Sequence, residues 1–275
     1  MNIFKDFVLG LNEVLITLGK QPYPLFGNVV ILAGGAASGK GFVKNKLLAI
    51  EGINCDVDAI KELALKSQLI KQRAKTEYGL DLSSFNLKNP DNVSTLHSLM
   101  VNMKVLDKRK LTTYMSILAS DPERKPNIIF DVTLKDITKL NNLTTDLSRL
   151  GYDKSKIHIV WVVNDVKLAA IQNKERDRVV SDDILLDTHE GVALTMKKII
   201  DMGDKLKSYM DGSIVLAFNK RGEDTDVEKS KNGGMFVKGF NYVVIKEPGK
   251  PVNLSKITDE ILAKIKEYTP KINTW

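Results

Sequence analysis

Cysteine is almost missing from this chain. Cys55 stands alone among 275 residues, so no internal disulfide can form. That scarcity fits a reducing compartment, and the expected location is cytoplasmic. Histidine is nearly as sparse. No pair among His97, His158 and His189 has metal-ligand spacing, and all three read as structural, with His189 the one nearest a substrate. No apolar run is long enough to cross a bilayer. Residues 1–20 also lack the uninterrupted apolar core of a signal peptide, because Asp6 and Glu13 break it. Their apolar positions (Ile3, Phe4, Phe7, Val8, Leu11, Val14, Leu15, Leu18) recur at helical spacing. They predict an amphipathic helix packed on the domain, not one bound to a membrane. Acids are outnumbered, 34 Asp and Glu against 41 Lys and Arg, giving a net charge of +7 that favours polyanionic partners such as nucleotides or nucleic acid. The lysines are spread along the whole chain, so most belong to solvated faces.

What the chain does have is concentrated at Asn28-Val-Val-Ile-Leu-Ala-Gly-Gly-Ala-Ala-Ser-Gly-Lys-Gly41. An apolar run, expected as a buried strand over 28–33, ends in Gly34-x-x-x-x-Gly39-Lys40. Phe42 to Ile50 follows with helical spacing. Strand, glycine-rich turn and helix in this order make a phosphate-binding loop. Glycines let successive backbone N–H groups turn inward onto phosphate oxygens, and Lys40 reaches the terminal phosphates. The helix N-terminus behind the loop adds positive partial charge. Gly34, Gly35, Ala36, Ala37, Ser38, Gly39, Lys40, Gly41 and Phe42 are the expected nucleotide-binding segment. One position departs from the pattern. Gly41 stands where Ser or Thr normally offers a hydroxyl to Mg²⁺, so the metal must be held by Ser38, Asp56, Asp131, water or the nucleotide itself.

Beyond the loop, strands and helices alternate. Residues 52–58 read as a short strand ending in acids, and 59–75 as a helix with Ile60, Leu63, Leu65, Leu69 and Ile70 on its apolar face. Residues 78–91 read as a loop. A long helix is expected over 93–118, burying Leu96, Met100, Met103, Leu111, Met115 and Leu118. Strands over 127–131, 156–163 and 213–218 enclose helices over 135–150, 166–174 and 181–200, the last capped by Ser181. The composition then changes. Residues 223–234 are polar and charged, 235–245 read as a β-hairpin, and 252–268 as a closing helix. The alternation predicts an α/β fold, a parallel sheet with helices on both faces. It divides into a domain over 1–222, including the N-terminal helix, and an extension over 223–275 packed on the same domain.

In open parallel sheets, ligands bind beyond the carboxyl ends of the strands. That rule gathers Lys40, Asp56, Asp58, Asp131 and the segment Asn219-Lys220-Arg221-Gly222 around one crevice. Carboxylates and cations beside a triphosphate suit phosphoryl transfer. Asp58 is the first choice for the base that takes the proton of an attacking hydroxyl, with Asp56 as the fallback and the other acid capping a helix. Asp131, helped by Thr133, faces Mg²⁺, its waters or the acceptor. Arg176 and Arg178 read as a lid that neutralises the transferring phosphoryl group.

The order of these elements resembles the zeta-toxin group of P-loop kinases, relatives of polynucleotide kinase, over roughly residues 28–222. The resemblance rests on Gly34 to Gly41, Asp56-Val-Asp58, Ile129-Phe-Asp131-Val-Thr133 and Val162-Val-Asn-Asp165. It also rests on the Arg176/Arg178 segment running into Asp182 to His189, and on Phe218-Asn-Lys-Arg-Gly222. It implies a P-loop NTPase-type sheet and ATP- and Mg²⁺-dependent phosphorylation of a hydroxyl. Asp58 would be the base, Lys40 and the two arginines would stabilise the phosphate, and Asn219 and Arg221 would border the adenine. Zeta toxins act on a UDP-activated amino sugar and polynucleotide kinases on a 5′-hydroxyl. Asp131 follows the second group, where zeta toxins tend to carry Glu. That departure leaves the acceptor open, and a nucleotide-sugar or similar small molecule is the first expectation. The alternatives are a strand end or modified base of nucleic acid, or NTP binding without transfer. An antitoxin-like protein partner stays open.

Overall fold

The structure, a computed structural model, describes residues 25–48, 50–219, 226–229, 235–238, 241–269 and 275. The amphipathic segment 1–20 and Lys220, Arg221 and Gly222 lie outside the described residues.

The centre of the molecule is β1 (Val29–Ala33), whose five residues are all buried. It pairs in parallel with β3 (Ile128–Val132) on one side and β4 (Ile157–Asn164) on the other. β2 (Ile53–Asp56) lies outside β3, and β5 (Ile214–Asn219) outside β4, both parallel. Side chains alternate between the two faces. Val29, Ile31 and Ala33 join one core, while Val30 and Leu32 join the other. Both faces are therefore dry, which is why these strands read as continuous apolar runs. The fold is the expected α/β sheet with helices around it.

Several boundaries differ from the sequence reading, each for a local reason. The helix after the loop is short: an α-turn, α1 (Lys40–Phe42), continues as a π-turn over Val43–Leu47 and ends at an extended Leu48. Asp58 does not end β2. The carboxylate of Asp56 accepts the backbone N–H of Asp58 at 2.8 Å and starts a helix, so Asp58 sits in the first turn of α2 (Val57–Lys66). Ser67 ends α2 and caps α3 (Gln68–Tyr78), which splits the expected helix over 59–75 and leaves Leu63 and Leu69 exposed. The long helix over 93–118 is likewise two, α4 (Pro90–Asn102) and α5 (Val105–Leu118). Lys104 between them adopts a left-handed φ of 54°. That residue resets the helical phase. Leu96, Met100 and Met103 are buried as expected, but Leu111, Met115 and Leu118 face solvent and Ile117 is buried instead. These helices build their own apolar cluster around Leu96 and Met100.

Helices α6 (Ile137–Arg149), α7 (Val166–Glu175) and α8 (Asp182–Asp201) keep their expected places, and Ser181 caps α8. The segment 235–245 is not a hairpin of its own. β7 (Met235–Lys238) pairs with β6 (Asp226–Lys229), which arises inside the polar stretch, whereas β8 (Asn241–Lys246) joins β5 antiparallel. The main sheet is therefore mixed, in the order β2-β3-β1-β4-β5-β8. A short closing helix, α9 (Asp259–Tyr268), follows, and Trp275 packs on Trp161 at 5.5 Å between ring centroids. At the end of the sheet away from the loop, His158 is fully buried. Its Nδ1 accepts the Ser213 N–H at 2.9 Å and its Nε2 faces Asn28 Oδ1 at 3.3 Å. Burial, helped by nearby Lys246, pushes its pKa down to about 4, so it is neutral and structural. No described helix is long and apolar enough to cross a membrane.

Candidate active site

The loop from Gly34 to Gly41 leaves the carboxyl end of β1 between β3 and β4. Gly35 has no room for a side chain, because a Cβ there would run into the His189 ring. Gly39 adopts a left-handed φ of 93°, which favours glycine. The outer side of the loop is tied down by α8 and β4. Ala36 N–H donates to Thr188 Oγ1 at 3.0 Å, His189 Nε2–H to the Ala36 carbonyl at 2.9 Å, and Asn164 Nδ2 to the Ala37 carbonyl at 3.3 Å. Burial lowers the pKa of His189, so its role here is that of a neutral clamp on the loop. Lys40 Nζ donates to the carbonyls of Gly34 and Gly35 at 2.9 Å each. Its own burial lowers its pKa, and Asp131 at 4.0 Å opposes that shift.

Facing the loop is a cavity of about 810 Å³, within the range of small-molecule sites. Ala36 through Phe42 line one wall. Asp56, Asp58, Asp131 and Thr133 line the second, and Arg176 and Arg178 the third. Gly34 and Gly35 are buried behind the first wall. The structure thus brings together Lys40, the three acids and both arginines, which lie up to 138 residues apart in sequence by the difference between 178 and 40. Asn219 ends β5 as the register partner of Asn164. Arg221 lies outside the described residues.

The two acids differ in environment. Arg178 Nη2 meets Asp58 Oδ2 at 2.6 Å, and Lys61 Nζ meets its Oδ1 at 3.3 Å. Burial works against the charge of Asp58, but Arg178 and Lys61 outweigh it and hold the carboxyl below the usual carboxylate range. Asp131 goes the other way. Burial pushes its pKa up, and Lys40 and Lys44 do not fully offset it. Asp56 and Asp131 are direct register partners on adjacent parallel strands, so their carboxylates share one face. A second cavity of about 590 Å³ adjoins the first through Asp58 and Asp131, and carries Lys61, His97, Lys135 and Lys139 on its far side.

Among the described residues no group of three or more His, Cys, Asp or Glu side chains could hold a metal by itself. Mg²⁺ seldom needs that, because it commonly takes one or two carboxylates and completes its shell with substrate phosphates and water. The adjacent pair Asp56 and Asp131, at the mouth of a phosphate loop, fits such an ion.

Sequence reasoning missed Lys44, whose Nζ lies 3.8 Å from Asp56 Oδ2 and 3.7 Å from Asp131 Oδ2. Its four-residue offset from Lys40, one helical turn, was the signal. Thr188 lines the cavity from within the Asp182 to His189 segment but was not singled out there, and Gln172 carries no motif that could have marked it.

No known protein family matches the chain, and no curated protein matches it in sequence. Among solved structures it is similar to a chain of the AvrRxo1-ORF1:AvrRxo1-ORF2 complex with sulphate ions. The identity is 13% and the TM-score 0.45, over 92% of this chain and 66% of that one, so this chain spans just under two thirds of its length. It is also similar to a chain of the PezAT chromosomal toxin–antitoxin system of Streptococcus pneumoniae, at 14% identity and a TM-score of 0.42, over 77% of this chain and 72% of that one. A further likeness is to deoxyadenosine kinase from M. mycoides with bound dATP, at 14% identity and a TM-score of 0.28, over 70% and 90%. With TM-scores below 0.5 these likenesses decide nothing about the reaction. The chain's own loop, strand order and clustered charges carry its resemblance to P-loop kinases.

Proposed function

We propose that this chain is an ATP-dependent phosphotransferase that moves the γ-phosphoryl group onto a hydroxyl of a nucleotide-sugar or other small nucleotide-like acceptor. The observation that supports this reading most is the meeting of Lys40, Asp58, Asp131, Arg176 and Arg178 around one cavity at the mouth of a phosphate loop. The triphosphate lies on the loop N–H groups, with Lys40 turning from the Gly34 and Gly35 carbonyls to its terminal phosphates. The acceptor enters from the side of the second cavity, where Lys61, Lys135 and Lys139 suit an anionic molecule. Its hydroxyl oxygen attacks the γ-phosphorus as the bond to the β–γ bridging oxygen breaks, and ADP leaves.

Asp58 takes the proton of the attacking hydroxyl. To do so it must lose Arg178, which swings onto the transferring phosphoryl group with Arg176 and neutralises its charge there. Asp56 and Asp131 would hold Mg²⁺ against the triphosphate, which would supply further charge neutralisation. Asp131 also orients the acceptor. The net charge of +7 supports a second reading, a nucleic-acid acceptor, which would make acceptor binding strongly salt-dependent.

The test is transfer from γ-labelled ATP to a panel of UDP-sugars, nucleosides, 5′-hydroxyl oligonucleotides and hydroxymethylated DNA. Label on a small acceptor supports the first reading. Label on an oligonucleotide, lost as salt rises, supports the second. Tight ATP binding with transfer to none refutes both.

A further inference from the structure

The loop combines a missing hydroxyl with an extra cation. Gly41 has a helical backbone and open space beside it, since an added Cβ would meet nothing within 4 Å. A serine would therefore fit at this position, yet the chain has none. Three residues on, Lys44 places its ammonium 3.8 Å from Asp56 Oδ2 and 3.7 Å from Asp131 Oδ2, with only 15% of its side chain exposed. At these lengths the contacts are close charge pairs and not hydrogen bonds. The strand register forces the two carboxylates side by side, and Lys44 bridges them.

We propose that Lys44 is the resident counter-ion of the Asp56–Asp131 pair and competes with the divalent cation for it, so that this lysine sets the metal affinity of the loop. The proposal rests on the nucleotide-binding reading of the same site. A Mg²⁺ ion on either carboxylate would sit about 2.0–2.1 Å from its oxygen. That position is inside the reach of the Lys44 ammonium, and like charges so close repel strongly in a site screened from water. The lysine must swing away on its flexible stem before metal enters. Lys44 is thus a positioning residue. Charge neutralisation that other loops leave to metal and hydroxyl is built partly into this chain, and nucleotide binding is less dependent on metal as a result.

The experiment uses Mn²⁺ as a paramagnetic probe. Free and bound Mn²⁺ are separated by electron paramagnetic resonance on the full chain, with and without a non-hydrolysable ATP analogue. Wild type is compared with Lys44→Met, Lys44→Gln, Lys44→Arg and Gly41→Ser, all checked for folding by circular dichroism. Removing the ammonium is expected to tighten Mn²⁺ by at least about tenfold in either neutral variant. Lys44→Arg keeps the charge and stays near wild type, and Gly41→Ser tightens Mn²⁺ only when the nucleotide analogue is present. A fluorescent ATP analogue in EDTA gives the second readout, in which wild type binds and Lys44→Met binds several-fold more weakly. Unchanged or weaker Mn²⁺ affinity in folded Lys44→Met and Lys44→Gln overturns the proposal. Failure of wild type to bind nucleotide under any condition overturns the functional reading instead, while the nucleotide-free Mn²⁺ titration still decides the role of Lys44.

Discussion

Replacing Arg178 with glutamine separates a structural ion pair from a group that acts on phosphate. In the structure Arg178 Nη2 lies 2.6 Å from Asp58 Oδ2, and the arginine side chain is 10% exposed. Breaking a fully buried pair costs about 3–5 kcal/mol. That figure does not apply here. The Asp58 side chain is 42% exposed, and Lys61 remains 3.3 Å from its other oxygen. Water and Lys61 therefore screen the loss, and the expected stability deficit is about 1 kcal/mol. The sign with pH follows from the direction of the shift. Arg178 and Lys61 depress the Asp58 pKa in the fold, below its ordinary value of 3.8. The stabilisation is thus complete above pH 3.8 and disappears as pH falls through the folded value. Urea unfolding at pH 7 and at pH 3, which lie on either side of the ordinary value, should show the deficit of Arg178→Gln shrinking at the lower pH. Phosphotransfer should fall far more, by about 10²–10³-fold at pH 7, because a cation is lost from the developing charge. A deficit that persists unchanged at pH 3, or a rate loss no larger than fivefold, refutes the reasoning.

Gly35→Ala should cost about 1–3 kcal/mol by thermal or urea unfolding, since its methyl meets the buried His189 ring, and should weaken ATP binding by displacing the loop. Stability near an unchanged wild-type value would show that the ring yields. His158 gives a second pH effect. Its pKa is pushed from 6.5 down to about 4 in the fold. Between those values only the unfolded chain takes the proton, so stability falls as pH drops, by at most roughly 3–4 kcal/mol. His158→Gln should flatten that slope, and an equal slope in the variant contradicts the assignment. Burial raises Asp131 above the usual carboxylate range. Wild-type kcat/KM should therefore fall on its acid side as Asp131 takes a proton, and the residual activity of Asp131→Asn should lack that limb.

The parts of this fold that were legible in sequence are those governed by one strong local signal. Strands β1, β3 and β4 are apolar runs because both faces of the sheet are covered, and Gly34 to Lys40 carries its own chemistry. The misreadings arose where a signal was weak or conditional. Ser67 acts as a cap only because the chain turns there, whereas a cap by one of the two acids was expected and Asp56 supplies it. Lys104 is a non-glycine residue in a left-handed conformation, so no glycine or proline announced the break that left Leu111, Met115 and Leu118 exposed. The strand order put Asp56 beside Asp131, a pairing invisible in the chain because 75 positions separate them (131 less 56). Lys44 followed for the same reason: its meaning depends on that pairing.

The central claim is that Asp58 and the phosphate loop act on one hydroxyl and one triphosphate. The most direct measurement is single-turnover transfer from γ-labelled ATP to the accepted acceptor by wild type and Asp58→Ala, with ATP affinity measured on the same preparations. The account predicts a labelled acceptor from wild type, transfer reduced by at least about 10²-fold in Asp58→Ala, and ATP affinity within a few-fold of wild type. Equal transfer by Asp58→Ala, or ATP bound by wild type with no acceptor ever labelled, contradicts it.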